Sequence, residues 1–248
     1  MPTIALDSPE VEYLAERDFR LCHLMRHVGD LDYTRPDSAF HSLAHSIIEQ
    51  MLSMKAGRAI ESRLRELCDG DYTPECIAGI PAENIKSCGM SFRKAQSLKT
   101  LAEYALANDL ESLAELPDED VYKTLVQLPG IGKWTCDMFL LFYLGRPDIL
   151  PVEDGALRQA FEWLYGAPIV SKEVQAVVCS LWRPYSSTAV RYLYRALNTG
   201  LVKEFAQPEM LWSQWRAASL SSLSFSVRVG ANRLLSRERH RGLSADVT

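Results

Sequence analysis

The chain has 248 residues, of which 47% are hydrophobic and 24% charged, enough for one large domain or two small lobes with a buried core. These proportions exclude disorder over most of the length. The 27 Lys and Arg against 32 Asp and Glu give a net charge of −5, which argues against a protein that coats nucleic acid by bulk attraction. No apolar run approaches the ~20 residues of a membrane span, and the first residues predict no signal peptide.

Helical periodicity dominates the chain, and strand signals are nearly absent. Residues 40–67 predict one long helix with a break near Gly57, in which Leu43, Ile47, Met51 and Met54 recur at helical spacing. Further helices are predicted over 82–86, 91–108, 109–116, 118–127, 133–144, 155–165, 172–181 and 188–201.

Charge is polarised along the chain. Residues 84–102 carry basic side chains and no acid, and residues 100–122 carry acids only. The basic side chains are Lys86, Arg93, Lys94 and Lys99. They form a candidate phosphate-facing strip, with an ordinary solvated helix face as the alternative. The Ser- and Arg-rich tail after about residue 207 predicts a mobile segment, whose arginines fit a solvated face better than a phosphate-binding arm.

The six cysteines are scattered and form no CxxC pair. They are Cys22, Cys68, Cys76, Cys88, Cys136 and Cys179. This spacing argues against a disulfide framework or a zinc ribbon. We expect reduced and mostly buried thiols.

A glycine-rich turn lies between two predicted helices at 128–132, with the sequence Leu-Pro-Gly-Ile-Gly. Gly130 and Gly132 allow a sharp turn and remove the Cβ atoms that would block the approach of another backbone. The amides at the start of the next helix lack helical partners and can bind an anion such as a DNA phosphate. Ile131 is expected to pack into the core. Alone, such a turn would be an ordinary helix connection.

Asp154 directly precedes a predicted helix, so it can act as an N-cap whose pKa the helix N-terminus lowers. A carboxylate ionised there can stabilise positive charge on a deoxyribose ring and can orient or deprotonate a water. Those are the demands of an oxocarbenium-like transition state in glycosidic cleavage. A plain N-cap is the alternative, and Glu153 is the rival carboxylate, offset by one residue.

Taken together, residues 125–161 resemble the helix-hairpin-helix (HhH-GPD) DNA glycosylases. Their signature joins LPGIGxxT, through a Gly/Pro-rich stretch, to a catalytic aspartate, and here Asp154 follows Gly132 by 22 residues. Upstream, IIEQMLSMKAG resembles the family's lesion-approaching helix. Downstream, WRPYSSTAVRYLYRA resembles a stretch of its 3-methyladenine (AlkA-like) branch.

The resemblance implies an all-α fold of two helical lobes with a catalytic cleft between them. One lobe would span 42–146 and hold the hairpin at 128–132. The other would combine 1–41 with 147–248.

The resemblance also implies site roles, residue by residue. Asp154 would be catalytic, Trp134, Met138 and Tyr194 would form the base pocket, Met51 and Leu52 would provide the DNA wedge, and Gly130, Gly132, Lys133 and Thr135 would contact the DNA backbone. Plain core positions are the alternative for Trp134, Met138 and Met51, and solvation is the alternative for Lys133. Tyr194 stands where the family has a tryptophan, which leaves the substrate range open.

Trp134 occupies the position at which strand-cutting members carry a Schiff-base lysine. An indole cannot be that nucleophile, so we expect hydrolysis without a lyase step. Members of the family that hold an iron–sulfur cluster carry four closely spaced cysteines near the C-terminus, whereas the last cysteine here is Cys179. The resemblance therefore implies no cluster, and no other metal site is expected. A monovalent cation could still bind at the hairpin when DNA is present.

The resulting hypothesis is a monofunctional DNA glycosylase of base excision repair. It would flip alkylated purines, such as 3-methyladenine and 7-methylguanine, out of double-stranded DNA and leave an abasic site. We expect a monomer without a membrane partner, in the cytoplasm and nucleoid, or in the nucleus of a eukaryote. A non-catalytic helix-hairpin-helix protein that recognises damaged DNA is one alternative. A glycosylase for another lesion, such as ethenoadenine, is another.

Overall fold

The computed structural model describes residues 3–205, and the chain is overwhelmingly helical there. The all-α prediction is confirmed. Two two-residue strands, β1 (Thr3–Ile4) and β2 (Leu31–Asp32), pair antiparallel with Thr3 opposite Asp32. Within these residues no helix is long and apolar enough to cross a membrane. The predicted mobile tail lies outside the described residues.

The helices follow in chain order as α1 (Pro9–Arg17), α2 (Phe19–Val28), α3 (Ala39–Glu49), α4 (Met54–Leu67), α5 (Pro74–Gly79), α6 (Ala82–Ser87), α7 (Phe92–Ala107), α8 (Asp118–Leu125), α9 (Lys133–Met138), α10 (Gly155–Tyr165), α11 (Lys172–Trp182), α12 (Ser186–Asn198) and α13 (Leu201–Glu204). A 3₁₀ segment (Leu110–Glu115) precedes α8, and a π-helical segment (Phe139–Tyr143) continues α9.

The chain divides into two compact units. One unit is Arg35–Arg146, and the other contains the described residues on either side of it, 3–34 and 147–205. The first unit thus begins before the predicted boundary at residue 42. The reason is local packing: the Arg35 guanidinium lies 4.5 Å from the centre of the Tyr143 ring, and the Ala39 amide donates to Glu111 at 2.9 Å.

The unit Arg35–Arg146 is built around α3, which packs against α4, α7 and the π-helical segment. The prediction of one helix over 40–67 with a break near Gly57 is wrong. The break lies between Glu49 and Met54, where Ser53 caps α4 by accepting from the Ala56 amide. Gly57 lies inside α4, and a Cβ there would stand 2.8 Å from the Glu49 Cγ.

The other unit packs α10 and α2 against α12, around a buried carboxylate. Asp18 accepts hydrogen bonds from the Leu21 amide (3.0 Å), the Tyr165 hydroxyl (2.7 Å) and the Trp182 indole (2.9 Å). Burial and the neighbouring Asp18 raise the pKa of Tyr165, which keeps that hydroxyl a donor. One side chain therefore joins α2, α10 and α11.

The prediction of six reduced thiols is wrong for two of them. Cys68, which caps the end of α4, forms a disulfide with Cys76 of α5, and their Cα atoms are 6.0 Å apart. Asp69 (φ 55°) and Gly70 (φ 125°) make the left-handed turn that brings these helices together. The other four cysteines are not disulfide-bonded, and three of them are buried.

Candidate functional site

The turn predicted from the glycines joins α8 to α9 and is anchored by its apolar residues. Leu128 and Ile131 are 8% and 5% exposed, and the Ile131 amide donates to the Leu128 carbonyl at 3.1 Å. The prediction that Ile131 packs into the core is confirmed. The segment is a helix-hairpin-helix motif whose tip is held by two buried side chains.

The two hairpin glycines have different structural roles. Gly130 has φ 86°, and a Cβ there would lie 2.7 Å from the Ser97 Cβ on α7 and closer still to its hydroxyl. Gly132 has φ −112°, and a Cβ there would meet nothing within 4 Å. Gly130 is therefore required by the packing of the unit itself, whereas nothing in the described chain requires a glycine at position 132.

The loop between α3 and α4, residues 50–53, carries the predicted wedge. Met51 adopts φ 59° and is fully exposed, and Leu52 is 41% exposed. A left-handed conformation is uncommon for a residue with a Cβ, and methionine is among the residues most often buried. The alternative of a core methionine at position 51 is therefore excluded.

Gln50 connects this wedge loop to the hairpin. Its side-chain amide donates to the Gly130 carbonyl at 2.8 Å and to the Thr135 hydroxyl at 3.0 Å. Thr135 is 1% exposed, so its hydroxyl is used inside the protein. A contact between Thr135 and a phosphate would therefore come from its backbone amide. The structure thus brings two predicted site segments together through Gln50, for which the sequence pattern predicts no role.

An open groove of about 650 Å³ lies where these segments meet. The wedge loop residues 50–52 and the hairpin residues 130–132 line it, together with the segment from Gly89 to Ser97 at the start of α7. Its lining is mixed, since Leu52 and Met90 are apolar and Arg93 is charged.

Two of the four lysines and arginines of the predicted phosphate strip are used to hold helix ends. The Lys94 ammonium donates to the carbonyls of Ile48 (2.7 Å) and Gln50 (2.6 Å). The Lys99 ammonium donates to two carbonyls at the end of α5, both at 2.7 Å. Burial lowers the pKa of Lys94. Lys86 and Arg93 of the predicted strip are exposed to solvent, whereas Lys94 and Lys99 are half-buried.

Lys133 forms an ion pair with another side chain of the protein and is not simply solvated. Its ammonium lies 2.7 Å from the carboxylate of Asp137, one helical turn further along α9. Asp137 is 1% exposed and also accepts from the Tyr122 hydroxyl. Burial and this carboxylate raise the pKa of Tyr122, which keeps the hydroxyl a donor. The lysine side chain is still 52% exposed, which leaves room for a second anion beside it.

The two predicted pocket residues of this unit lie on α9. Met138 is 7% exposed, and Trp134 is half-buried one turn before it. The spacing of four residues puts both on one side of the helix. Trp134 is therefore partly accessible to solvent, while Met138 lies in the core.

Asp154 and Tyr194 belong to the other unit. The Asp154 carboxylate caps α10, accepting from the Leu157 amide at 2.6 Å, and the residue is 8% exposed. Its neighbour Glu153 is exposed. Tyr194 is half-buried on α12, near the buried Arg191, whose guanidinium lies 4.1 Å from the centre of the Tyr33 ring.

No three His, Cys, Asp or Glu side chains of residues 3–205 are arranged to hold a metal ion.

Comparison with known proteins gives a consistent result. Residues 44–184 match the family described as HhH-GPD superfamily base excision DNA repair protein. A Schizosaccharomyces pombe protein named DNA-3-methyladenine glycosylase 1 is 30% identical over 175 residues, which cover 68% of this chain and 75% of that protein.

Solved structures agree with the sequence match. A DNA-3-methyladenine glycosidase from Bacillus halodurans superposes with a TM-score of 0.72 at 32% identity, covering 86% of this chain and 100% of that one. The Schizosaccharomyces pombe 3-methyladenine DNA glycosylase Mag1, in complex with abasic DNA, gives 0.69 at 28% identity, covering 76% and 96%.

Proposed function

Because the chain belongs to the HhH-GPD superfamily of base excision DNA repair proteins, in its DNA-3-methyladenine glycosylase branch, we propose that it is a monofunctional DNA glycosylase. It removes alkylated purines, such as 3-methyladenine and 7-methylguanine, from double-stranded DNA and leaves an abasic site. Asp154 is the observation that carries the proposal. It is a buried carboxylate fixed at a helix N-terminus, at the position where the family signature has its catalytic aspartate.

The proposed reaction is hydrolysis at C1′ of the deoxyribose. The bond between C1′ and the base nitrogen breaks, and the base leaves with the bonding electron pair. Asp154 stabilises the positive charge that develops on the sugar, then takes a proton from the water that adds to C1′. A purine alkylated at N3 or N7 is already cationic and leaves as a neutral base, so no general acid is required.

Trp134 supports both the substrate class and the absence of strand cleavage. Its indole face is suited to an electron-poor, positively charged purine. An indole has no basic amine, so it cannot form the Schiff base through which bifunctional glycosylases cut the strand. Water is the only co-reactant that the proposed reaction requires. Met138 and Tyr194 are proposed to shape the pocket, and Tyr194, which stands where the family has a tryptophan, leaves the substrate range open.

DNA contacts are assigned to the hairpin and to the wedge loop. A duplex base must leave the stack before its glycosidic bond can be reached, at a cost of a few kcal/mol. Met51, with Leu52 beside it, is proposed to fill the vacated space, since it is exposed, apolar and unbranched. The open side of Gly132 lets a phosphate approach the hairpin amides, with Lys133 beside it. We propose that the protein acts as a monomer wherever the cell keeps its DNA.

The test is to incubate the protein with methylated duplex DNA and to resolve the released bases by chromatography. We expect free 3-methyladenine and 7-methylguanine, with alkali-labile sites left in the DNA. DNA binding without release of any base would favour the non-catalytic alternative. Release of ethenoadenine alone from a defined oligonucleotide would assign another lesion.

The absence of a lyase step is tested separately. Borohydride reduction during turnover should trap no covalent protein–DNA adduct. A trapped adduct would contradict the role given to Trp134.

A further inference from the structure

We propose that Gln50 and Lys94 form a brace that holds the wedge loop against the hairpin. In this account both are positioning residues for base flipping, and Lys94 is not a phosphate contact. The inference rests on the proposed function of Met51 as the wedge. It assigns the loop's geometry to two side chains that form hydrogen bonds within the protein.

Lys94 holds the loop from the side of α7. Its ammonium donates to the carbonyls of Ile48 and Gln50, where the chain leaves α3. Carbonyls at a helix end lack partners within the helix, so an ammonium that binds two of them fixes the direction in which the chain leaves. Lys94 itself is fixed, because its amide donates to the Ser91 cap of α7 at 3.3 Å.

Gln50 holds the loop from the side of the hairpin. Both of its side-chain hydrogen bonds end on the hairpin and on α9, at Gly130 and Thr135. The same residue therefore has its carbonyl held by α7 and its amide group held by the hairpin. Gly130 is in turn packed against Ser97 of α7, so the three segments close a ring around the groove.

Met51 follows directly and is the residue that needs such support. A left-handed conformation is disfavoured for a residue with a Cβ, and it persists where the surroundings over-determine it. Met51 is fully exposed, so its own side chain supplies none of that support. The fixed Gln50 on one side and the Ser53 cap of α4 on the other supply it.

The brace has a consequence that separates flipping from chemistry. A duplex lesion needs a wedge already pointing outward, whereas an unpaired lesion needs none. Loss of the brace should therefore slow excision from duplex DNA and spare excision from single strands. If Lys94 contacted a phosphate, its loss would instead weaken DNA binding in a salt-dependent way.

The experiment uses Lys94→Met and Gln50→Leu, with Lys94→Arg as the conservative variant and Lys86→Met as the matched control. Single-turnover excision of one methylated purine is measured in a duplex and in a single-stranded oligonucleotide. We expect the duplex rate to fall about tenfold or more in Lys94→Met and Gln50→Leu, with the single-strand rate within about twofold of the parent. Lys94→Arg should recover part of the duplex rate.

Salt dependence of DNA binding gives the second readout. Lys94→Met should leave the slope of log affinity against log salt unchanged. Lys86→Met removes an exposed ammonium, so it can lower the magnitude of that slope by at most about 0.9. It should leave the ratio of the duplex excision rate to the single-strand excision rate as in the parent. Three results would overturn the brace: a lower salt slope in Lys94→Met, equal losses of excision rate on duplex and single-stranded substrates, or no loss of excision rate at all.

Hydrogen exchange of the loop amides at 51–53 keeps the inference testable without activity. We expect faster exchange there in both brace variants, while the amides of α10 stay as in the parent; unchanged loop exchange would overturn the brace. If Lys94→Met fails to fold, Gln50→Leu carries the same test. If the parent protein excised the base from neither substrate, the proposed function would be refuted. If the parent excised it normally and the variants kept the parental ratio of duplex to single-strand rates, the brace alone would be refuted.

Discussion

Replacing Gly130 with alanine should strongly destabilise the unit Arg35–Arg146. At φ 86° an alanine pays about 1–2 kcal/mol for the left-handed conformation. Its methyl group would stand 2.7 Å from the Ser97 Cβ, and overpacking of that kind costs about 1–3 kcal/mol. The sum is about 2–5 kcal/mol, a large part of the roughly 5–15 kcal/mol that stabilises a typical protein.

Urea unfolding followed by circular dichroism measures this loss. With a slope of about 2 kcal/mol per molar urea, the midpoint should fall by about 1–2.5 M. Gly132→Ala is the matched control, because its φ is −112° and its Cβ would meet nothing within 4 Å. It should cost less than about 1 kcal/mol, the effect of a poorer N-cap.

A second substitution separates the two contributions. Ser97→Ala in the Gly130→Ala background removes the hydroxyl that the new methyl group meets, and it should recover part of the overpacking cost but none of the backbone cost. An unchanged midpoint for Gly130→Ala would refute the description of the hairpin as packed on α7. Equal losses for Gly130→Ala and Gly132→Ala would refute the distinction between the two glycines.

Three further changes test other parts of the molecule. Gly132→Ala, although stable, should weaken duplex binding about tenfold in fluorescence anisotropy, because its methyl group occupies the approach of a phosphate; unchanged affinity would remove the hairpin from the interface. Burial alone would lower the pKa of His45, but its hydrogen bonds with Glu49 and Glu61 raise that pKa from 6.5 to about 10. The protonated His45 therefore stabilises the folded state fully below pH 6.5, and this stabilisation is lost as pH rises through 10. The stability advantage over His45→Gln, about 1 kcal/mol for so exposed an ion pair, should shrink in urea melts from pH 6 to pH 10; a constant advantage would contradict the pairing. Asp18→Leu leaves three donors without their acceptor and should cost about 3 kcal/mol or more in the same assay, whereas a loss below about 1 kcal/mol would contradict the network.

Features that depend on a few neighbouring residues were predictable from the sequence. The hairpin, its buried Ile131 and the start of α10 at Gly155 all follow from local backbone demands. The position of Asp154 before that helix is local as well, so its N-cap geometry could be expected. The all-α fold followed from periodicity over most of the chain.

Features that depend on partners distant in sequence were not predictable. At the break after Glu49, the carbonyl of Gln50 accepts a hydrogen bond from the ammonium of Lys94, 44 residues further along the chain. Composition predicts a phosphate contact for the same lysine, because it cannot distinguish an ammonium that binds carbonyls from one that faces solvent. The disulfide between Cys68 and Cys76 likewise depends on a left-handed turn that the cysteine spacing does not reveal.

The most direct test of the central claim is the single-turnover excision rate of Asp154→Asn on a duplex that contains one methylated purine. Asparagine caps helices as well as aspartate does, so the fold and DNA affinity should be retained while the negative charge is lost. We predict a rate about a hundredfold to a thousandfold or more below the parent. Glu153→Gln, at the exposed neighbouring position, should excise as the parent does. Excision by Asp154→Asn at the parental rate would contradict the assignment of this carboxylate to catalysis.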